Sequence, residues 1–184
     1  MERPSPCRRR VMTTSSPPDR PAKRGAIPFP ARHLLTDPLC LLGLGFGTGL
    51  SPKAPGTLGT LAALPLYALL SPLDWPAYLA IAGLLFIAGI RICQHTEDRL
   101  GVSDHSGIVW DEIVGYLITM TGTPLDWRTL AAGFLLFRLF DILKPWPIRK
   151  LDRSLHGGLG IMLDDVLAGI LAAVSLWTVR PYLA

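Results

Sequence analysis

Five apolar segments, 57–73, 77–93, 108–123, 129–143 and 161–179, succeed one another along the chain with short polar connections between them. Segments of this kind must hide their surface in a bundle interior or in lipid, and each reads as one membrane helix. Several fall short of the roughly 20 residues that a full crossing needs, so their ends run into the flanks or the helices sit partly inside protein. A shorter, Gly-rich apolar piece over 39–50 suits a half-helix or re-entrant segment, which is tolerated where protein rather than lipid surrounds its backbone. The expectation is an all-α, multi-span helical membrane bundle of about four to five apolar helices plus that short re-entrant element. Composition agrees: 49% of residues are hydrophobic, 17% are charged and the mean hydropathy is +0.37, more apolar than an ordinary soluble domain.

The net charge of +4 conceals two unlike parts. Residues 1–32 carry Arg3, Arg8, Arg9, Arg10, Arg20, Lys23, Arg24 and Arg32 against Glu2 and Asp19, a +6 tail that leaves the remainder at −2. Rich in Pro and Ser, the tail cannot bury a core; it is expected to be disordered and attracted to anionic membrane lipids, with the helical domain over 33–184. No basic, aromatic-interleaved fold accompanies it, so nucleic acid is not an expected partner. The run RRRVM at 8–12 starts like an export signal, yet the Thr, Ser, Pro and Asp after it supply no apolar h-region. Cys7, Cys40 and Cys93 are odd in number and widely spaced, against both a disulfide framework and a closed zinc site; Cys40 and Cys93 read as apolar packing residues.

With the tail in the cytoplasm, alternating spans put Lys53, Arg91, Arg99, Lys144, Arg149, Lys150 and Arg153 on the cytoplasmic side. Asp74, Asp126, Arg128 and Arg180 fall opposite, as the positive-inside rule requires. The same alternation brings Asp111 and Glu112, which open the third segment, Asp141 near the end of the fourth, and Asp164 and Asp165, which open the fifth, to one membrane boundary. One helical turn after three of these acids stands a small residue, Gly115, Ala168 or Gly169, which lets helices approach closely.

Five carboxylates beside a low-dielectric region need compensating cations, because like charges oppose one another's ionisation. Asp111, Glu112, Asp141, Asp164 and Asp165 therefore read as ligands of a divalent metal; an all-oxygen set favours Mg²⁺, Ca²⁺ or Mn²⁺, and open water positions favour Mg²⁺ acting on a phosphate. The competing reading is structural, with Arg138–Asp141 and Asp141–Lys144 pairs at i, i+3 spacing. The stretch from Gly45 to Thr60, dense in Gly, Pro and hydroxyls and ahead of an apolar helix, suits a phosphate cradle with Lys53 and Thr57, although it lacks Walker A spacing. Lys144 and Arg149 flank the rigid Pro145–Trp146–Pro147 segment and are further phosphate candidates, whereas Lys150 and Arg153 read as headgroup anchors. His156, before a Gly-rich turn, is a candidate proton donor. His95, Glu97, Asp98, Asp104 and His105 read as a solvated polar loop. Cys93 and Arg99 fit a C-x5-R phosphatase spacing, but Glu97 and Asp98 inside it would repel phosphate.

The blocks GFGTGLSPKAPGTLGTLAALPL, GIVWDEIVGYLIT, FRLFDILKPWPIRKLDR and HGGLGIMLDDVLAGI, in this order, resemble the phosphatidylglycerophosphatase A family from about His33 to the end of the fifth segment. The resemblance implies a multi-pass protein of the bacterial inner membrane, with its active site facing the cytoplasm. It further implies a Mg²⁺-dependent lipid phosphatase converting phosphatidylglycerophosphate to phosphatidylglycerol and phosphate. On that basis Asp111, Glu112, Asp164 and Asp165, with Asp141 in support, would hold Mg²⁺ and provide the base or nucleophile, Lys53, Thr57, Lys144 and Arg149 would bind the phosphate, and His156 would protonate the leaving group. Water attack and an aspartyl-phosphate on Asp164 or Asp165 are both compatible with these residues. The alternative is a non-catalytic membrane scaffold or subunit that uses the charges as interhelical pairs.

Overall fold

A computed structural model describes residues 31–146, 148–149 and 155–183. Residues 1–30, and with them nearly all of the expected basic tail, lie outside the described residues, as do Lys150 and Arg153. The described chain is helical throughout, without a strand: α1 (Ala31–Thr36), α2 (Pro38–Gly43), a 3₁₀ segment (Gly45–Leu50), α3 (Pro55–Leu70), α4 (Trp75–Leu100), α5 (Trp110–Thr119), α6 (Trp127–Leu143), α7 (Gly157–Val179) and a closing 3₁₀ turn (Arg180–Tyr182). Helices α3 to α7 coincide with the five apolar segments. The piece over 39–50 is a short helix leading into a 3₁₀ segment bent where Phe46 and Gly47 take positive φ, 57° and 98°.

Two helices, Trp75–Leu100 and the run Gly157–Tyr182, are long and apolar enough to cross a membrane; α3 is apolar but shorter. This is fewer than the four to five crossings expected from the sequence. The segment 108–123 contributes a helix of only 10 residues, about 15 Å long, because Ile108 and Val109 are spent on docking the preceding loop and the chain turns again at Met120. Val109 N–H donates to Gly43 O at 2.9 Å, which ties the entry of α5 to the end of α2.

Helix α5 is the centre of the bundle, packed by α3, α4, α6 and α7. Ile113, Val114, Tyr116 and Leu117 are fully enclosed there, and Phe137 meets Tyr116 edge-on at 6.3 Å between ring centroids. Each buried tyrosine has a backbone partner for its hydroxyl: Tyr78 donates to Leu117 O (2.7 Å), Tyr116 to Leu130 O (3.1 Å) and Tyr67 to Thr123 O (2.8 Å). Buried rings with satisfied polar tips fix the far end of the bundle at little polar cost. The outward faces differ: Leu84 and Ile87 of α4, Leu135 and Ile142 of α6 and Val174 of α7 are exposed, an apolar surface that water does not favour and lipid does.

Asp37 fastens the near end. Its Oδ1 caps α2 by accepting N–H bonds from Leu39 (3.0 Å) and Cys40 (3.4 Å), while Oδ2 meets His95 Nε2 (2.9 Å) and Arg99 Nη2 (3.0 Å) of α4. The His95 contact, with the backbone and Arg99 bonds behind it, pulls the carboxyl from 3.8 down to about 2. A depressed carboxyl adds stability that is complete above its unfolded value and is lost as pH falls through the folded one. Asp37→Asn keeps the helix cap and removes this charge, so its melting temperature should lose the wild-type fall between about pH 4 and pH 2. Thermal melts across that range check this; an unchanged fall would place the pH dependence elsewhere.

Candidate active site

The acidic residues approach from three helices. Asp111 and Glu112 occupy the first turn of α5, Asp141 the last turn of α6, and Asp164 and Asp165 the second turn of α7. Asp111 lies within electrostatic reach of Glu112, Asp164 and Asp141, and Asp165 within reach of Asp111, Asp141 and Asp164. The α7 pair sits about 10 Å into its helix rather than opening it, and it meets Asp111 because α5 starts correspondingly deep.

Glycines make this approach geometrically feasible. A Cβ on Gly169 would stand 2.4 Å from Gly115 O, and one on Gly115 would stand 2.8 Å from Asp165 O, so the backbones of α5 and α7 touch one turn past the acids. At the start of α3, a Cβ on Gly56 would lie 2.1 Å from Glu112 Oε1 and 3.0 Å from Arg138 Nη1. The Gly-rich stretch thus clears room for Glu112. As a cradle its backbone is partly used, since the N–H groups of Thr57 and Leu58 donate to Ala54 O at 3.1 and 3.3 Å. Gly56→Ala leaves every ionisable group in place yet drives a methyl into Glu112 and Arg138. Activity should fall by about 10-fold or more, as expected for an ångström-scale displacement of a reacting group, with Gly59→Ala similarly impaired. Steady-state phosphate release checks both.

Among the described residues, Arg138 and Lys144 border the acids. Arg138 Nη1 lies 2.7 Å from Asp141 Oδ2 and 3.5 Å from Glu112 Oε1, so the i, i+3 pair read from the sequence exists and also bridges to α5. Lys144, whose αL backbone ends α6 one residue before Pro145, pairs with Asp164. Among the described residues, two neighbouring cations stand against five carboxylates. Asp111 Oδ1, Glu112 Oε2 and Asp165 Oδ2 are moreover buried with no hydrogen-bond partner. Unsatisfied carboxylate oxygens from two helices are of the donor type that a hard divalent cation takes.

The other expected site residues surround this centre at varying depth. His156 is exposed at the N-cap of α7 and lines a cavity together with Asp164. Lys53 is exposed and Thr57 half-buried at the entry of α3. Arg149 is exposed and donates to Leu143 O at 3.2 Å, folding back over the end of α6.

Three readings change. His95, Glu97 and Asp98 belong to α4 rather than to a loop, and Glu97 and His105 are buried, not solvated. The helix continues to Leu100, so its polar end still turns one face inward. Within the 101–109 loop, His105 accepts the Gly107 N–H on Nδ1 at 3.0 Å, and burial holds its imidazole below the usual histidine range. Cys40, a buried free thiol, stands with Asp37 and His95 in a group whose donor atoms lie within 4.8 Å of one another, a second set of metal-type ligands; among the described residues the α5 and α7 acids form no group that tight. Asp37 already accepts four hydrogen bonds there and the Arg99 guanidinium opposes a cation, so the carboxylate centre is the better site for a hard metal.

A helical bundle with two helices of membrane-crossing length, and a buried acidic centre bordered by Arg138 and Lys144, suits a membrane-associated protein that handles a charged group. Such a centre is compatible with phosphoryl chemistry. Residues 41–180 match the family model for Phosphatidylglycerophosphatase A, and the chain belongs to that family. It is 47% identical over 148 residues to Phosphatidylglycerophosphatase A of Escherichia coli K12, covering 80% of this chain and 86% of that one. The corresponding Haemophilus influenzae protein is also 47% identical, over 79% of this chain and 91% of its own length. A Bacteroides thetaiotaomicron protein named as a putative phosphatidylinositol-3-phosphatase is 43% identical over 76% and 94%. No solved structure matches the chain.

Proposed function

We propose that this protein hydrolyses the terminal phosphomonoester of phosphatidylglycerophosphate, yielding phosphatidylglycerol and phosphate, in a Mg²⁺-dependent reaction at the cytoplasmic face of a bacterial inner membrane. Family membership carries the phosphatase activity. The residue assignment rests on one observation, the convergence of Asp111, Glu112, Asp141, Asp164 and Asp165 from three helices, with three of their oxygens buried and unsatisfied. A multi-pass arrangement is supported by the exposed apolar faces of α4, α6 and α7, which suit lipid and would set the acidic end of the bundle at headgroup depth. The domain over 33–184 then carries the whole activity.

Asp111, Glu112, Asp164 and Asp165, with Asp141 in support, would hold Mg²⁺, which supplies Lewis-acid stabilisation of charge on the phosphoryl oxygens when bound. Lys144 exchanges Asp164 for a phosphate oxygen, and Lys53, Thr57 and Arg149 approach the same anion from the α3 entry and the end of α6. A carboxylate of the centre takes the proton of the attacking water. The leaving glycerol oxygen is strongly basic, and His156, exposed beside Asp164, gives it a proton. Transfer through Asp164 or Asp165 uses the same residues; a chiral phosphorus distinguishes the routes, inverted by direct water attack and retained by the phosphoenzyme.

The test is phosphate release by the purified full chain in detergent, with and without Mg²⁺. Release that stops on chelation and returns with Mg²⁺ is expected. No release from phosphatidylglycerophosphate under any metal would favour the scaffold reading instead.

A further inference from the structure

Beside the acidic centre lies a cavity of about 230 Å³ whose lining includes Glu97, Ser103, Asp104, His156, Ile161 and Asp164. It sits between the end of α4, the 101–109 loop and the start of α7, and it adjoins an outer cleft of about 470 Å³ that shares Glu97 and Ser103. Three of the eight lining residues are acids, and no Lys or Arg lines the cavity among the described residues. A second anionic group is repelled by such a wall, whereas hydroxyls, which donate hydrogen bonds, are accepted by it.

Glu97 carries the specific signal. Its side chain belongs to a residue only 8% exposed, and Oε1 accepts the Asp104 N–H at 3.2 Å. Oε2 is buried with no hydrogen-bond partner. A buried carboxylate oxygen left unpaired is costly, and a donor from a ligand in the cavity relieves that cost. Asp164 borders the same cavity, so a ligand whose phosphate reaches the acidic centre places its neighbouring carbons here.

We infer that this cavity receives the uncharged, hydroxyl-bearing part of the lipid headgroup, with the Glu97 carboxylate accepting the free hydroxyl next to the phosphate ester; this rests on the function proposed above. In phosphatidylglycerophosphate that hydroxyl is on the central glycerol carbon. Glu97 then determines specificity, holding the polyol so that the ester faces the acids and its leaving oxygen faces His156.

The experiment compares kcat/KM of the purified full chain, with Mg²⁺ in detergent micelles, on phosphatidylglycerophosphate and on an analogue with 1,3-propanediol in place of the glycerol between the phosphates. The two carry equal charge and differ by one hydroxyl. The wild type should prefer the glycerol substrate by roughly 10- to 100-fold. Glu97→Ala should reduce that preference to under about 3-fold while leaving the propanediol rate within about 3-fold of wild type. Glu97→Gln keeps an acceptor for Asp104 N–H and serves if the alanine variant does not fold; its preference should fall at least about 5-fold. Equal wild-type rates on both substrates, or Glu97 variants that slow both in parallel, would overturn the inference. Absence of phosphate release by the wild type from either substrate would overturn the proposed function and the inference with it.

Discussion

Asp165→Asn should lower kcat by at least about 100-fold, equivalent to about 2.7 kcal/mol of transition-state stabilisation, while leaving the fold intact. Asp165 is 3% exposed, its Oδ2 has no hydrogen-bond partner, and it lies within reach of Asp111, Asp141, Asp164 and Lys144. Asparagine keeps the shape of the side chain and removes its charge. Where acids outnumber the neighbouring cations among the described residues, losing one negative charge relieves repulsion, so the melting temperature should hold or rise. A structural ion pair behaves oppositely: breaking it strands a buried cation and costs about 3–5 kcal/mol. Turnover and melting temperature measured on the same sample separate these roles. Near-wild-type turnover would remove Asp165 from the chemistry, and a large fall in melting temperature would make it a structural partner.

Gly169→Ala should damage both stability and turnover although it touches no reactive group. The added methyl would stand 2.4 Å from the backbone oxygen of Gly115 and 3.3 Å from Ile118 Cβ, and a backbone atom cannot swing aside as a side chain does. Helices α5 and α7 must separate, at a cost of about 1–3 kcal/mol. Their acids lie one turn from the contact, so the opening is transmitted to Asp111 and Asp165, and kcat should fall by about 10- to 100-fold. Gly83→Ala in α4 is the control, because nothing lies within 4 Å of its added methyl. It should leave kcat unchanged and hold or slightly raise stability. Equal stability and activity in the two variants would mean that the crossing of α5 and α7 does not set the geometry of the acids.

The helical architecture is legible in the sequence because apolar runs bounded by Pro, Gly and charge leave few alternatives, and the alternation of five segments by itself brings Asp111, Asp141 and Asp165 to one end. Helix length is less legible. Hydropathy alone does not reveal that Ile108 and Val109 dock a loop, so the 108–123 segment has the composition of a crossing and is a short central helix. Cross-chain partners are beyond reach for the same reason: Arg138 announces Asp141 by spacing, but nothing in the sequence aims it at Glu112 on another helix. Glu97 hides among polar neighbours, since His95, Thr96, Asp98 and Arg99 give no apolar stripe to show which face is buried; only the continuation of α4 to Leu100 turns that one acid inward. The glycines of the 45–60 stretch suit a phosphate cradle by composition, and nothing in that composition shows that Gly56 and Gly59 also clear space for Glu112.

Mn²⁺ binding to the purified full chain, monitored by electron paramagnetic resonance as the stand-in for Mg²⁺, tests most directly whether acids of separate helices share one divalent ion. One ion per chain should bind, and Asp111→Asn and Asp165→Asn should each weaken it by about 10- to 100-fold, with Asp37→Asn unaffected. Binding that survives both of the first two variants and is lost in Asp37→Asn would move the metal to Asp37, Cys40 and His95 and contradict the account.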